Sequence, residues 1–270
     1  MTIDVNKYTK EVENTLKKRS AHISRESASR VKHYMSTAHE VHGLGTQAQN
    51  DISKTGFSFH DKAPDTFRIY DAIFQNTRIF EAKNLAFIYL DRHYKHIPVA
   101  LQLKLLPKWV KHVDNWAHSD NLSKFLSRLT ELPETREPML KYIERWNGSK
   151  NLWERRQSLV ALFYYARTRK QHLPYEYVTG LVRNLLHDPE YFVQKAVGWT
   201  LRESYNAYPE QTYRFLQTHI ADLSAYAFSA STEKMNTADK AALKEKRQLA
   251  KNTRLPHKPS PAGRHSKKKP

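Results

Sequence analysis

The sequence contains no cysteine and only seven glycines among 270 residues. Without thiols there is no disulfide framework, no thiolate zinc site and no cysteine nucleophile, and without a glycine-rich run there is no phosphate loop of the GxxxxGK kind. Long apolar runs are missing as well: none approaches the length of a membrane span, and the opening M-T-I-D-V-N-K-Y lacks an apolar signal core. These absences lead to the expectation of a cytoplasmic protein that does not enter membranes. A zinc-type HExxH is also lacking. In His39-Glu40-Val41-His42-Gly43 the histidines are three apart rather than the four that HExxH uses to set both on one helical face, and Gly43 ends the run, so no metal is expected.

Acidic residues are scarce beside basic ones, 27 against 45, which gives a net charge of +18. Between Lys244 and Pro270 ten lysines or arginines face one acid, Glu245, so that stretch carries +9 and the rest of the chain the other +9. Both parts being basic, a polyanion is the leading partner class, with anionic lipid or simple solubility as competing explanations of the tail. The apolar fraction of 39% is modest but includes 15 Tyr, 11 Phe and 5 Trp, so large side chains supply the buried area.

Hydrophobic periodicity predicts an all-α protein. Helices are expected over Val5 to Lys18 and Glu26 to Ser36, the second capped by Ser24, with the cluster Lys17-Lys18-Arg19 between them. From Asp65 a nearly continuous series follows: Thr66 to Phe74, Arg78 to Tyr94, Pro98 to Leu105, Pro107 to Trp116, Asn121 to Glu131, Glu134 to Trp146, Leu152 to Arg169, Tyr175 to His187, Glu190 to Tyr205, Pro209 to Thr218, and a last region through Ala230. Pro98, Pro107, Pro189 and Pro209 sit at or beside expected first turns. The organisation expected is a repeat domain over 1–230 (N-terminal helices in 1–64, regular repeats in 65–230), a charged helix or linker over 231–251, and a disordered basic tail over 252–270.

Three of these helices open with an aromatic followed three residues later by a base: Phe80/Lys83, Trp153/Arg156 and Phe192/Lys195. The bases lie 73 and 39 residues apart, which fits a unit of about 37 to 39 residues, the period of HEAT-type helical pairs, with Asp120 occupying the intermediate phase. Equivalent positions of a solenoid line one surface, so Lys83, Asp120, Arg156 and Lys195 are expected on a shared face. In the segment Asp188 to Ser204, Phe192, Val193, Ala196, Val197, Thr200 and Leu201 form a core arc. Lys195, Trp199 and Arg202 flank that arc beside Gly198, a position whose missing side chain could admit a phosphate backbone; the plainer alternative makes Trp199 a core edge and the cations solvated.

Arg156 projects from an apolar stripe and needs either a carboxylate from a neighbouring repeat or a phosphate. Trp116 and Asp120 are four residues apart, on one face or, across a break at Ser119, about one turn apart; Asp120 is either a helix cap or an acid set deliberately in a basic, aromatic surface. An acid that repels a polyanion is worth retaining where cationic charge develops in a transition state, as it does on a sugar losing its base.

W-x-x-x-D at Trp116 and Asp120, N-L-W-E-R-R around Arg156 and Y-F-V-Q-K-A-V-G-W-T-L-R-E from Tyr191 to Glu203 resemble the DNA alkylation repair family, the AlkD-like DNA glycosylases built from HEAT-like repeats. The likeness spans roughly Asp65 to Ala230. It implies a right-handed α-α solenoid with a concave basic face that removes N3- or N7-alkylated purines from double-stranded DNA, without a cofactor. By position Asp120 would be the carboxylate that stabilises the sugar cation and orients water, Trp116 and Trp199 would pack against the damaged nucleotide's deoxyribose, and Arg156 would contact phosphate; Lys83, Lys195 and Arg202 would add further DNA contacts. The run Gly43-Leu44-Gly45-Thr46-Gln47 lacks the proline of the family's early helix start, and Ala117 stands where the family often has an acid. No deep pocket is expected, and the protein would act as a monomer on cytoplasmic, nucleoid-associated DNA. Two other readings remain open on the sequence: a non-catalytic binder of damaged or branched DNA, and a helical-repeat protein scaffold.

Overall fold

The computed structural model describes residues 4–253. The described residues form fourteen α-helices and no strand, the one β-type contact being an isolated bridge between Glu40 and Ile79. In chain order the helices are α1 Val5–Arg19, α2 Arg25–Met35, α3 Thr46–Thr55, α4 Ala63–Asn76, α5 Phe80–His93, α6 Val99–Trp109, α7 Trp116–Glu131, α8 Pro133–Asn147, α9 Leu152–Phe163, α10 Tyr175–Asn184, α11 Tyr191–Ala207, α12 Pro209–Thr218, α13 Ala225–Ser231 and α14 Thr237–Thr253. Local signals set most boundaries. Asp4, Ser24, Asn115, Asn151 and Ser224 each accept a backbone N–H of the first turn they precede. Pro64, Pro133 and Pro209 occupy first-turn positions where the missing N–H has no partner to lose.

From α4 onward the helices pack in two layers. α5, α7, α9, α11 and α13 stack one upon the next, and α4, α6, α8 and α10 stack beside them. The expected repeat period is visible as a ladder of side-chain hydrogen bonds that join each unit to its neighbour. Trp109 reaches Asp71, His118 reaches the Phe80 carbonyl, Ser119 reaches Gln157, Arg156 reaches the Phe192 carbonyl, Glu203 receives Ala166 N–H and Tyr208 reaches the Leu173 carbonyl, over separations of 35 to 38 residues. The core between the layers is aromatic-rich, with Phe74 stacked on Trp109 at 4.1 Å and Trp146, Phe67 and Tyr70 fully covered.

Three boundaries differ from expectation. Pro107 lies inside α6 rather than opening a helix, two residues before the helix end, where one lost hydrogen bond is tolerated. No break occurs at Ser119: Asn115, not Asp120, caps α7, so Trp116 and Asp120 share one continuous helix. The helix from Leu152 stops at Phe163 because Tyr164 takes φ +54°, a conformation that costs a non-glycine residue about 1–3 kcal/mol, and is held there by tertiary bonds. Helix α3 was not expected at all; it has no side-chain cap, and Gly45 precedes it. Of the expected charged segment 231–251, residues 237–251 lie in α14, which runs on through the first two residues of the expected tail, and residues 254–270 lie outside the described residues.

Candidate functional site

The exposed edge of the inner layer carries a cleft of about 460 Å³. Its wall is supplied by Tyr34 and Ser36 at the end of α2, Trp116 and Asp120 on α7, Arg156 on α9, Tyr191, Phe192, Lys195, Trp199 and Arg202 on α11, Ala230 on α13 and Glu233 in the turn that follows it. Six of the seven residues singled out in the sequence therefore converge, and Lys83 does not.

At the floor, Arg156 and Asp120 form an ion pair, Nη2 to Oδ1 2.6 Å, with the guanidinium buried and the carboxylate 21% exposed. The other donors of Arg156 go to Ser119 Oγ at 3.2 Å and to the Phe192 carbonyl at 2.8 Å. The planar fork is thus engaged on α7, α9 and α11 together. The cation in an apolar stripe has its anion from the preceding repeat; the phosphate contact implied by the resemblance is not its present use, because every nitrogen is occupied within the protein. Asp120 Oδ2 accepts no hydrogen bond from a described residue and remains available to the cleft.

Two indoles wall the carboxylate. Trp116 donates its ring N–H to the Tyr34 carbonyl at 3.2 Å and meets the Tyr34 ring edge-on, centroids 5.5 Å apart. Trp199 donates to the Tyr164 carbonyl at 2.7 Å, which explains the strained Tyr164 backbone: the positive φ turns that oxygen toward the indole. With their polar edges tied to backbone, both indoles are held in fixed orientations while their bodies remain part-exposed.

The cations are unequal. Lys195 is exposed and makes no ion pair among the described residues. Arg202 is only 12% exposed; it lies 4.8 Å over the Trp199 ring and bonds Glu203 at 3.0 Å and Glu233 at 2.9 Å, so it braces the indole rather than reaching outward. Lys83 is a correction. It is 1% exposed, donates to the Phe74 carbonyl at 2.5 Å and sits over the Phe74 ring, and burial pushes its ammonium down to about 8. It cannot touch DNA. Gly198 is a second correction. A Cβ there would stand 2.6 Å from Ala230 Cβ and 2.7 Å from the Ala227 carbonyl oxygen, so the missing side chain serves the close approach of α13, not a phosphate.

Tyr34, Ser36, Tyr191 and Glu233 were not singled out in the sequence. Tyr34 and Glu233 come from segments far from α7 in the chain, and only packing brings them in. Beneath Trp116, His39, Asp114 and His118 place ligand atoms within 4.8 Å of one another. These are committed elsewhere: Asp114 accepts from Thr37, Ala38 N–H and Asn115, and both ring nitrogens of His118 are bonded, to Asn115 and the Phe80 carbonyl. Burial drives His118 down to about 3, and the nearby Lys83 ammonium acts in the same sense, opposing a second cation.

Fold and site together define a helical-repeat protein whose cleft sets the Asp120 carboxylate between two fixed indoles. The chain belongs to the DNA alkylation repair enzyme family, whose model matches residues 15–235. Among solved structures it is similar to a predicted DNA alkylation repair enzyme from Enterococcus faecalis, at 16% identity and a TM-score of 0.61, covering 79% of this chain and 97% of that one. It is also similar to AlkD2 from Streptococcus mutans, at 15% identity and a TM-score of 0.45, covering 83% of this chain and 97% of that one. At 16% identity the likeness to the Enterococcus faecalis structure shows the fold alone. None of the curated proteins compared with it matches the chain.

Proposed function

We propose that this repair protein is a DNA glycosylase that hydrolyses the N-glycosidic bond of N3- or N7-alkylated purines in double-stranded DNA. The observation that carries the reading is Asp120: one oxygen fixed by Arg156, the other facing a cleft walled by Trp116 and Trp199. An alkylated purine is cationic and leaves with the bonding electron pair as a neutral base, so no acid needs to protonate it. Positive charge moves onto the sugar, where a carboxylate held in place stabilises it more than it stabilises the ground state. Water then bonds to C1′, giving its proton to Asp120 and onward to solvent. The indoles pack on the deoxyribose and restrict its approach, and Lys195 supplies the cation for the flanking phosphate. The protein acts as a monomer, and needs no cofactor for this step.

A non-catalytic DNA binder is the second reading, favoured by the completeness with which Arg156 occupies one oxygen of Asp120. Release of 7-methylguanine from methylated duplex DNA separates the two. Wild type is expected to release the base, and Asp120→Asn, which keeps an acceptor for Arg156, to bind the same duplex with release reduced by at least about a hundredfold, the scale of losing an electrostatic stabiliser. Binding without release by the wild type would establish the binder; neither would favour a protein scaffold.

A further inference from the structure

Beside the Asp120–Arg156 pair, the seam between α7 and α9 holds polar side chains that the packing does not require. Ser119, Ser123 and Gln157 are buried, on helices whose other buried residues include Leu122, Leu126, Leu159 and Val160. Apolar groups of the same shape would serve the core about as well, since a hydrogen bond made inside a protein largely replaces one made to water. The proposed reaction uses only Ser119, as an acceptor for Arg156.

The three form a chain that starts at the guanidinium. Arg156 Nε donates to Ser119 Oγ at 3.2 Å, Ser119 Oγ donates to Gln157 Oε1 at 3.1 Å, Gln157 Nε2 donates to Ser123 Oγ at 2.7 Å, and Ser123 Oγ donates to the Ser119 carbonyl at 2.9 Å. A guanidinium only donates and a carbonyl only accepts, so the chain runs one way between its two ends. A serine hydroxyl has a single proton; because Gln157 takes that of Ser119, the Ser119 oxygen meets Arg156 with its lone pairs. The chain therefore begins at the cation that fixes Asp120 and ends on the backbone of the residue before Asp120. Neighbours on a helix diverge by about 100°, which lets Arg156 reach the cleft while Gln157 turns into the seam. Asp120 and the Phe192 carbonyl hold the two terminal nitrogens of Arg156, and only Ser119 holds Nε. Two anchors leave a planar group free to rotate about the line that joins them. The third removes that rotation.

We propose that Gln157 is a positioning residue for base release: it keeps the Ser119 hydroxyl an acceptor for Arg156, and through Arg156 holds the Asp120 carboxylate in place at the cleft. It touches neither the DNA nor the reacting atoms. The inference rests on the proposed glycosylase function, and one of its two measurements is independent of that function.

The test uses the full chain and pairs single-turnover release of 7-methylguanine from methylated duplex with hydrogen exchange at the Arg156 Nε–H, followed by NMR and assigned from its loss in Arg156→Lys. Gln157→Met is expected to release the base about tenfold more slowly, the scale of a small misplacement in a reacting site, with affinity for the same duplex within about twofold of wild type. Its Arg156 Nε–H is expected to exchange at least about tenfold faster. In Arg156→Lys, where no guanidinium is left to orient, adding Gln157→Met costs less than about twofold in release, because a residue that acts through Arg156 has nothing further to lose. Ser123→Ala/Gln157→Met removes Gln157 together with the partner it would leave unpaired, so its urea midpoint is expected to lie nearer wild type than that of Gln157→Met while release stays as slow. Release that recovers with stability in this double variant, a full tenfold loss in the Arg156→Lys background on the scale of about one decade per misplaced group, or unchanged exchange in Gln157→Met overturns the positioning role, while release by the wild type leaves the glycosylase standing. If the wild type releases no base, the glycosylase reading falls, and the exchange measurement alone decides whether Gln157 holds Arg156.

Discussion

Asp120 and Arg156 illustrate how one residue constrains another's chemistry. The carboxylate is oriented by a guanidinium that is itself oriented by Ser119 and the Phe192 carbonyl, so under the proposed function a change at Arg156 would act on base release through Asp120. Arg156→Lys is expected to lower the rate of base release at least about tenfold with intact-duplex affinity nearly unchanged; a true phosphate contact would instead weaken binding and reduce the salt slope by about 1. Lys83→Met carries the complementary expectation, no change in DNA affinity or salt dependence, because the ammonium is enclosed between Phe74 and its neighbours. His118 sets a pH response. Its folded value lies near 3 against 6.5 unfolded, so below 6.5 the unfolded chain binds the extra proton and stability falls steadily as pH drops toward 3. Burial lowers His39 as well and Asp114 is also held low, which adds loss in the same acidic direction. Thermal melts across that window should show the melting temperature falling with pH, and less steeply in His118→Gln.

At the scale of elements, the α11–α13 contact governs the cleft. Gly198 lets the two helices approach until a Cβ would overlap the Ala227 carbonyl, and α13 in turn delivers Ala230 and Glu233 to the wall. Gly198→Ala gains helix propensity but must push α13 away, and overpacking against backbone outweighs propensity. A net loss of about 1–3 kcal/mol in unfolding free energy is expected by denaturant titration, with base release impaired more than DNA binding. The α9 terminus shows the same dominance of contacts over local preference. Periodicity continues through Tyr164 and Tyr165, yet the helix ends at Phe163 because Trp199 takes the Tyr164 carbonyl and Glu203 takes the Ala166 N–H. A sequence pattern records which face is apolar. It does not record that a residue two helices away competes for a backbone group.

For the whole molecule, the proposed function assigns the excess of positive charge to affinity rather than selectivity. Residues 254–270 hold six lysines or arginines and no acid, whereas the cleft itself mixes Arg156, Lys195 and Arg202 with Asp120 and Glu233. Chains ending at residue 253 are expected to bind methylated and unmethylated duplexes more weakly by the same factor, with the slope of log affinity against log salt reduced by about 0.9 for each phosphate no longer neutralised. Their ratio of methylated to unmethylated binding should be unchanged, since the cleft lies entirely in the helical repeats. A change in that ratio would place recognition in the tail.

The all-α class, a period of about 37 to 39 residues and most helix starts were legible in the sequence, because caps, first-turn prolines and amphipathic spacing act over a few residues. So was the meeting of Asp120, Arg156 and Lys195, since a repeat sends equivalent positions to one edge, whereas Trp116 and Trp199 were expected beside them only on the family resemblance. Tertiary structure alone decided the fate of three bases at the same phase of the repeat. Lys83 is enclosed beside Phe74, Arg156 is spent on Asp120, and Lys195 stays open to solvent. The helix that carries a side chain sets its direction; whether that direction ends in water, a carboxylate or an aromatic ring is set by what packs across from it. For the same reason the glycine that the sequence offers to a phosphate belongs to α13, and the rim tyrosines came into view only once the chain was folded.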